Sequence, residues 1–297
     1  MSTTDVSRLL PGLLAGAGYP ADPAREPIRV WARSGVERLR FGGGASVVLK
    51  YARAPFDREH LALRLAERHG VPVPHVQAAR TGGGWLIMLL DDLGEPAGEA
   101  GDLDGARAAV ALHRVHAAGT WLPLVSAASL TGMPDRIAAR LTALGCADAA
   151  GVARSIGAAA GARAADAELP PYGLCHSEFH PTSLHLGNQG WHLLDLARAF
   201  TGPGLLDLAS WPGTVTEPDP GRVSGLIQAY VSAGGERQAL GPRGGLDAAS
   251  WALGWHRIWV ADWYAEQIEL GWANGAEDTW TTTISRHLAE AASLLRI

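Results

Sequence analysis

Between residues 28 and 90 the chain runs through five short strand-like stretches and one amphipathic helix, and beyond residue 102 it is patterned as helix with a single exception. That division confines the fold to the α+β class, a small antiparallel sheet ahead of a larger, mainly α-helical part. Ile28 to Ala32, Val36 to Phe41 and Ala45 to Tyr51 are rich in β-branched, aromatic or aliphatic residues and are separated by Ser34-Gly35 and Gly42-Gly43-Gly44. They predict a small meander. Asp57 to His69 places Leu61 and Leu65 opposite Arg64 and Arg68 at helical spacing and is stopped by Gly70 and Pro72. Val73 to Ala78 and Trp85 to Leu90 add two strands around the turn at 81–84.

Asp91 to Gly101 is acidic, glycine-rich and carries Pro96, which suits a linker leaving the sheet. Helical patterning follows over Leu103 to Ala118, Met133 to Leu144, Ala147 to Ala167, Arg222 to Ala233, Leu246 to Gly271 and Asp278 to Leu295. The exception is Leu184 to Asp195, two short apolar runs around Gly187-Asn188-Gln189-Gly190, a hairpin signal.

Composition excludes several classes of function. The longest strongly apolar run, Trp85 to Leu90, is too short to cross a bilayer, and the first residues lack a basic region followed by an apolar stretch, so a cytoplasmic protein with no membrane partner is expected. Cys146 and Cys175 alone make neither a disulfide framework nor a metal-binding spacing. A net charge of -5 argues against a nucleic-acid partner. His176, His180 and His185 do not fit an H-E-x-x-H helix, so zinc is not expected.

One residue stands apart. Of 25 basic side chains only Lys50 is a lysine, the rest being arginine. Alanine, glycine and arginine richness suggests a G+C-rich coding sequence that replaces lysine wherever the chemistry allows. A site that needs a compact ammonium rather than a planar fork does not allow it.

The most informative stretch is His176-Ser177-Glu178-Phe179-His180-Pro181-Thr182-Ser183, followed by the hairpin and by Leu193-Leu194-Asp195-Leu196. Here the chain resembles the aminoglycoside phosphotransferase family and its relatives among choline and small-metabolite kinases. Their signature is H-G-D-x-x-x-x-N, a strand pair and an I-D-F-type segment. Gly204-Leu205-Leu206-Asp207-Leu208-Ala209 is similar to the G-D-P-x-x-D-L-A segment that closes the region. Lys50 and Glu59 fall where the family carries its phosphate-gripping lysine and the glutamate that pairs with it, so the resemblance covers nearly the whole chain.

The resemblance implies a bilobal, protein-kinase-like fold with an N-lobe over 1–90, a hinge over 91–101 and a C-lobe over 102–297. It also implies ATP and Mg²⁺ as cofactors and a small hydroxylated acceptor. Aligned on His176, which braces the loop, the catalytic aspartate becomes Glu178, the metal-binding asparagine becomes Ser183 and the second metal-binding aspartate is Asp195. Leu89 to Asp91 is implied as the segment whose backbone reads the purine. Glutamate is one methylene longer than aspartate, and a serine hydroxyl coordinates metal less strongly than an amide oxygen. Ser177 replaces glycine.

Gly42-Gly43-Gly44 lacks a following Gly-Lys-Ser or Gly-Lys-Thr and joins two strands, so it is expected to be a turn rather than a phosphate loop. The loop over the phosphates is expected at Arg33-Ser34-Gly35-Val36. Trp251, Trp255, Trp259 and Trp263 recur every fourth residue, which predicts a packed core stripe. The alternative is that Trp255, Trp259, Asp262 and Glu266 face the acceptor, because the family's late helices flank its cleft. Leu112-His113 resembles a structural family segment.

Three readings stay open. The first is an ATP- and Mg²⁺-dependent O-phosphotransferase acting on an antibiotic of the aminoglycoside or nucleoside type or on a secondary metabolite, with resistance as its consequence. The second is a nucleotide-binding pseudokinase, and the third is a metabolite kinase for choline, an amino sugar or an amino alcohol. A monomer or homodimer serves any of them.

Overall fold

The computed structural model of the chain describes residues 3–31, 33–116, 119, 121–188 and 190–297. Ala32, Ala117, Ala118 and Gln189, assigned above to a strand, a helix and a hairpin turn, lie outside the described residues. In chain order the elements are α1 (Thr3–Gly16), β1 (Ala24–Val30), β2 (Ser34–Arg40), β3 (Ser46–Arg53), α2 (Glu59–Arg68), β4 (Val76–Gly82) and β5 (Trp85–Asp91). There follow α3 (Asp102–His113), α4 (Ala127–Ala143), α5 (Ala147–Arg163), β6 (Tyr172–Cys175), β7 (Leu184–Gly187), β8 (Gly190–Leu193) and β9 (Phe200–Pro203). The chain ends with α6 (Leu205–Ser210), α7 (Pro220–Ser232), α8 (Ala248–Glu269) and α9 (Glu277–Leu295). The class is α+β, with an antiparallel sheet first and a larger helical part after it.

Two compact units emerge, one of residues 1–100 with 182–199 and one of residues 101–181 with 200–297. In the first, five strands pair antiparallel in the order β1-β2-β3-β5-β4. Period-two alternation assigns the faces. Val47, Leu49 and Tyr51 of β3, with Trp85, Ile87 and Leu89 of β5, share a core with Val6, Leu10, Leu13 and Leu14 of α1. Lys50, lying between Leu49 and Tyr51, therefore points to the other face. Strand β5 is buried on both faces and reads as a continuous apolar run.

Helix α1 was not expected. Its buried positions 6, 10, 13 and 14 have helical spacing, but Pro11 and Gly12 interrupt the pattern that would announce it. Gly42–Gly44 forms a single 3-10 turn between β2 and β3, as the turn reading requires. The segment 33–36, expected to be a loop, is different. Trp31 N–H donates to the Ser34 carbonyl at 2.8 Å, tying the end of β1 to the start of β2. Ser34 and Gly35 then pair with Ala52 and Tyr51 inside β2 and β3. A Cβ on Gly35 would come within 2.3 Å of the Tyr51 ring, so the glycine is there to let that ring cross the strand.

In the second unit α8 packs against α4, α6, α7 and α9. Trp211, Trp251, Trp255, Tyr230 and Phe200 are among its fully buried side chains. Helix α4 starts earlier than position 133 because Ser126 caps it, its hydroxyl accepting the Ser129 N–H at 3.2 Å. Strands β6 and β9 pair antiparallel.

Candidate active site

The first unit brings together Lys50, Glu59 and Asp195. Lys50 sits in β3, Glu59 opens α2, and Asp195 follows β8. Lys50 Nζ donates to Glu59 Oε1 at 2.7 Å and to Asp195 Oδ1 at 2.8 Å. The three side chains are 12%, 1% and 51% exposed respectively, so the ammonium bridges a buried carboxylate and an open one. Burial works against the Lys50 charge, but Glu59 and Asp195 outweigh it and hold the pKa above the usual lysine value. Burial pushes the Glu59 carboxyl up to about 7, Lys50 opposing this and the Asp195 charge reinforcing it.

Asp195 adopts a left-handed backbone, φ 62°. Its turn is fastened on both sides: Leu193 N–H donates to the Pro72 carbonyl at 2.8 Å and Leu194 N–H to the Ser183 carbonyl at 2.8 Å. With β7 and β8 paired Leu184 to Leu193, Ser183 and Asp195 lie at the open end of one hairpin. Ser183 is buried in the 3-10 turn that enters it.

Beside the end of β5 is a cavity of about 770 Å³ lined by Ser46, Gln77, Asp91, Asp92, His185 and His192, among others. The Asp91 carboxylate accepts from Gln77 Nε2 at 2.7 Å. Leu89 is not part of this wall. Its side chain is in the α1 core and its strand is paired on both edges, to Leu49 and Ala78, so the backbone free of the sheet begins beyond Asp91. Ser34 and Gly35 are strand residues here, whereas the segment over the phosphates was expected to be a loop.

In the second unit, β6 delivers His176, Ser177 and Glu178. The buried Asp207 carboxylate at the start of α6 accepts the His176 N–H at 2.7 Å and the Ser177 N–H at 3.0 Å. His176 Nδ1 accepts the Glu178 N–H at 3.3 Å, and His180 Nδ1–H donates to the Ser210 carbonyl at 2.9 Å. These bonds leave the two histidines engaged with the backbone, and burial keeps the His180 pKa low. Phe179 is fully buried against Trp211, ring centroids 5.0 Å apart. Glu178, between buried neighbours, is half-buried. The role of Asp207 was missed in the sequence, although the segment containing it was noticed.

The tryptophan stripe divides. Trp255 is fully buried and donates its indole N–H to the Arg163 carbonyl at 3.1 Å, the same acceptor that Trp251 uses at 2.7 Å. It offers no face to an acceptor, which corrects its assignment to that role. Trp259 is half-buried and donates to Ser177 Oγ at 3.2 Å. Asp262 is bound by Arg136 at 2.8 Å and Arg140 at 2.7 Å, and Glu266 is exposed.

His113, Cys175 and Asp207 present ligand atoms within 4.8 Å of one another. Burial raises the Cys175 thiol well above its ordinary value, and the thiol donates to the Gly202 carbonyl at 3.3 Å. With Asp207 holding two amides, this is a hydrogen-bonded structural cluster. Among the described residues no helix is long and apolar enough to cross a membrane.

A sequence model described as the phosphotransferase enzyme family matches residues 32–242. No curated protein matches the chain in sequence. Among solved structures, a choline/ethanolamine kinase family protein from Mesorhizobium loti superposes with a TM-score of 0.61 at 19% identity, over 99% of this chain and 100% of that one. A macrolide 2′-phosphotransferase from Brachybacterium faecium gives 0.61 at 21% identity, over 94% and 98%. An amicoumacin kinase in complex with AMP-PNP and Ca²⁺ gives 0.57 at 12% identity, over 99% and 96%. At such identities the likeness is one of fold.

Proposed function

Because this chain belongs to the phosphotransferase enzyme family, we propose that it transfers the γ-phosphate of ATP, with Mg²⁺, to a hydroxyl of a small molecule. The observation that carries the reading is the single lysine of the chain held between Glu59 and Asp195. Phosphoryl transfer needs positioning and charge neutralisation more than covalent help. Lys50 supplies a point charge for phosphate oxygens, and Glu59 keeps its stem aimed. The donors at the open end of the hairpin suit magnesium: the half-exposed Asp195 carboxylate, the Ser183 hydroxyl and water are all hard oxygens. When bound, the ion neutralises charge on the phosphate oxygens.

Glu178 orients the acceptor hydroxyl and takes its proton as the new oxygen–phosphorus bond forms. The bond from the γ-phosphorus to the bridging oxygen breaks, ADP leaves, and the carboxyl returns the proton to water. His176 keeps Glu178 in place by accepting the Glu178 backbone N–H at its Nδ1. The cavity next to Asp91 is the place proposed for the purine.

The two arginines on Asp262 offset its charge, which favours an acceptor carrying little positive charge over a polycation. Solved relatives named as a choline/ethanolamine kinase, a macrolide 2′-phosphotransferase and an amicoumacin kinase support an antibiotic, a secondary metabolite or an amino alcohol as the acceptor class. A nucleotide-binding pseudokinase is the competing reading, favoured by the weaker metal donor at Ser183. Incubation with ATP, Mg²⁺ and a panel of such hydroxylated compounds, read by mass spectrometry, is expected to yield a phosphorylated product that Glu178→Gln loses while still binding nucleotide. Nucleotide binding with no product from any acceptor, unchanged by Glu178→Gln, establishes the pseudokinase instead.

A further inference from the structure

Ser177 has a backbone conformation that serine seldom adopts, φ 80°. In this region the Cβ of an L-residue crowds the following carbonyl, whereas glycine is free of that strain. Something in the fold must hold the serine there. Two hydrogen bonds do so. The Ser177 N–H donates to Asp207 Oδ1 at 3.0 Å, a bond that glycine would also make. The Ser177 hydroxyl accepts the Trp259 indole N–H at 3.2 Å, a bond that needs the side chain.

The indole is itself well fixed. Its ring packs on Phe200, centroids 4.9 Å apart, and Phe200 belongs to β9, which pairs Phe200 with Cys175, the residue before His176. Ser177 is 6% exposed, so its hydroxyl has little water to replace a lost indole partner.

We propose that Trp259 is a positioning residue for the catalytic loop: its indole N–H holds Ser177 in the left-handed conformation and thereby sets the direction in which Glu178 leaves the loop. The proposal rests on the reading of Glu178 as the group that receives the acceptor proton. It assigns Trp259 a role that does not require contact with the acceptor, and it explains how a serine is accommodated at a position whose backbone favours glycine.

Trp259→Phe removes the N–H and keeps a ring against Phe200. With Ser177 present it is expected to lower kcat about tenfold, the loss that one hydrogen bond produces, with KM for ATP unchanged. In a Ser177→Gly background, where glycine takes the same φ without help, Trp259→Phe is expected to change kcat less than about twofold. Amide hydrogen exchange of the full chain gives a second readout that needs no acceptor. Exchange at Ser177 and Glu178 is expected to rise about tenfold in Trp259→Phe and to show no such rise when the same change is made in the glycine background.

Equal effects of Trp259→Phe in the two backgrounds, or no effect with Ser177 present, overturn the proposal and leave the function of Glu178 standing. A Glu178→Gln protein that turns over at the wild-type rate overturns both.

Discussion

Replacing Glu59 with glutamine tests which force governs the buried end of the Lys50 cluster. Glu59 is 1% exposed, and its carboxyl is displaced from 4.5 to about 7, chiefly by burial. A folded state that holds a proton more tightly than the unfolded chain is most favoured below the unfolded pKa. The wild type therefore loses stability as pH rises through the interval from 4.5 to about 7 and loses no more above it. At about 1.4 kcal/mol for each pH unit, the loss is about 3 kcal/mol. Glutamine keeps an oxygen for the Lys50 ammonium and does not titrate, so the variant lacks this loss. Lys50, with its pKa raised, contributes stability that is full below 10.5 and lost only at higher pH, outside the interval.

The assay is the opening free energy of β3 and α2 amides in native-state hydrogen exchange, corrected for intrinsic rate, for both proteins between about pH 4.5 and pH 8. The wild type is expected to fall by about 3 kcal/mol relative to Glu59→Gln across that range. A difference constant to within about 0.5 kcal/mol refutes the reasoning. A difference of opposite sign shows that the ion pair with Lys50, and not burial, controls Glu59.

Three further outcomes follow from the geometry. Lys50→Arg places a longer planar fork where one ammonium meets two carboxylates at 2.7 and 2.8 Å, and kcat/KM for ATP is expected to fall about 100-fold or more in steady-state kinetics. Asp207→Ala leaves the buried His176 and Ser177 amides without their acceptor, at a cost of about 3 kcal/mol, read as a lower unfolding temperature in calorimetry. Trp255→Ala is expected to cost about 3–5 kcal/mol of stability while the KM for the acceptor stays unchanged, which is how a core residue differs from an acceptor contact.

Much of this was legible in the sequence where the signal is local. Alternation within β3 announces a strand and places Lys50 opposite Leu49 and Tyr51, while the absence of any other lysine marks it chemically. The amphipathic pattern of α2 places Glu59 at its start. Non-local features were not legible. Strands β6 and β9 have four residues each, include Gly173, Gly202 and Pro203, and owe their pairing to partners about 30 residues away. The four tryptophans of α8 have one spacing and two fates, because burial of Trp251 and Trp255 depends on a carbonyl of α5 that periodicity cannot foresee. The arginines that offset Asp262 come from α4, more than 120 residues upstream. Ser34-Gly35 looks like a turn in sequence because glycine serves two purposes, and here it makes room for a ring.

The departures from the family pattern bear most on the proposed role of Ser183, and the asymmetry of the Lys50 cluster bears on that role too. In the proposed function Ser183 is the second metal donor, so the proposed site depends heavily on Asp195, and Asp195 already has a partner. That partner is held asymmetrically. The Lys50–Glu59 pair is nearly excluded from water, so separating it would strand a buried carboxylate. The Lys50–Asp195 pair has one side chain 51% exposed, and a pair with that much water around it contributes about 1 kcal/mol or less. On the proposed function, an incoming triphosphate with its cation would replace the Asp195 contact at small cost and leave the Glu59 contact intact, freeing the stronger of the two proposed donors at the hairpin's open end.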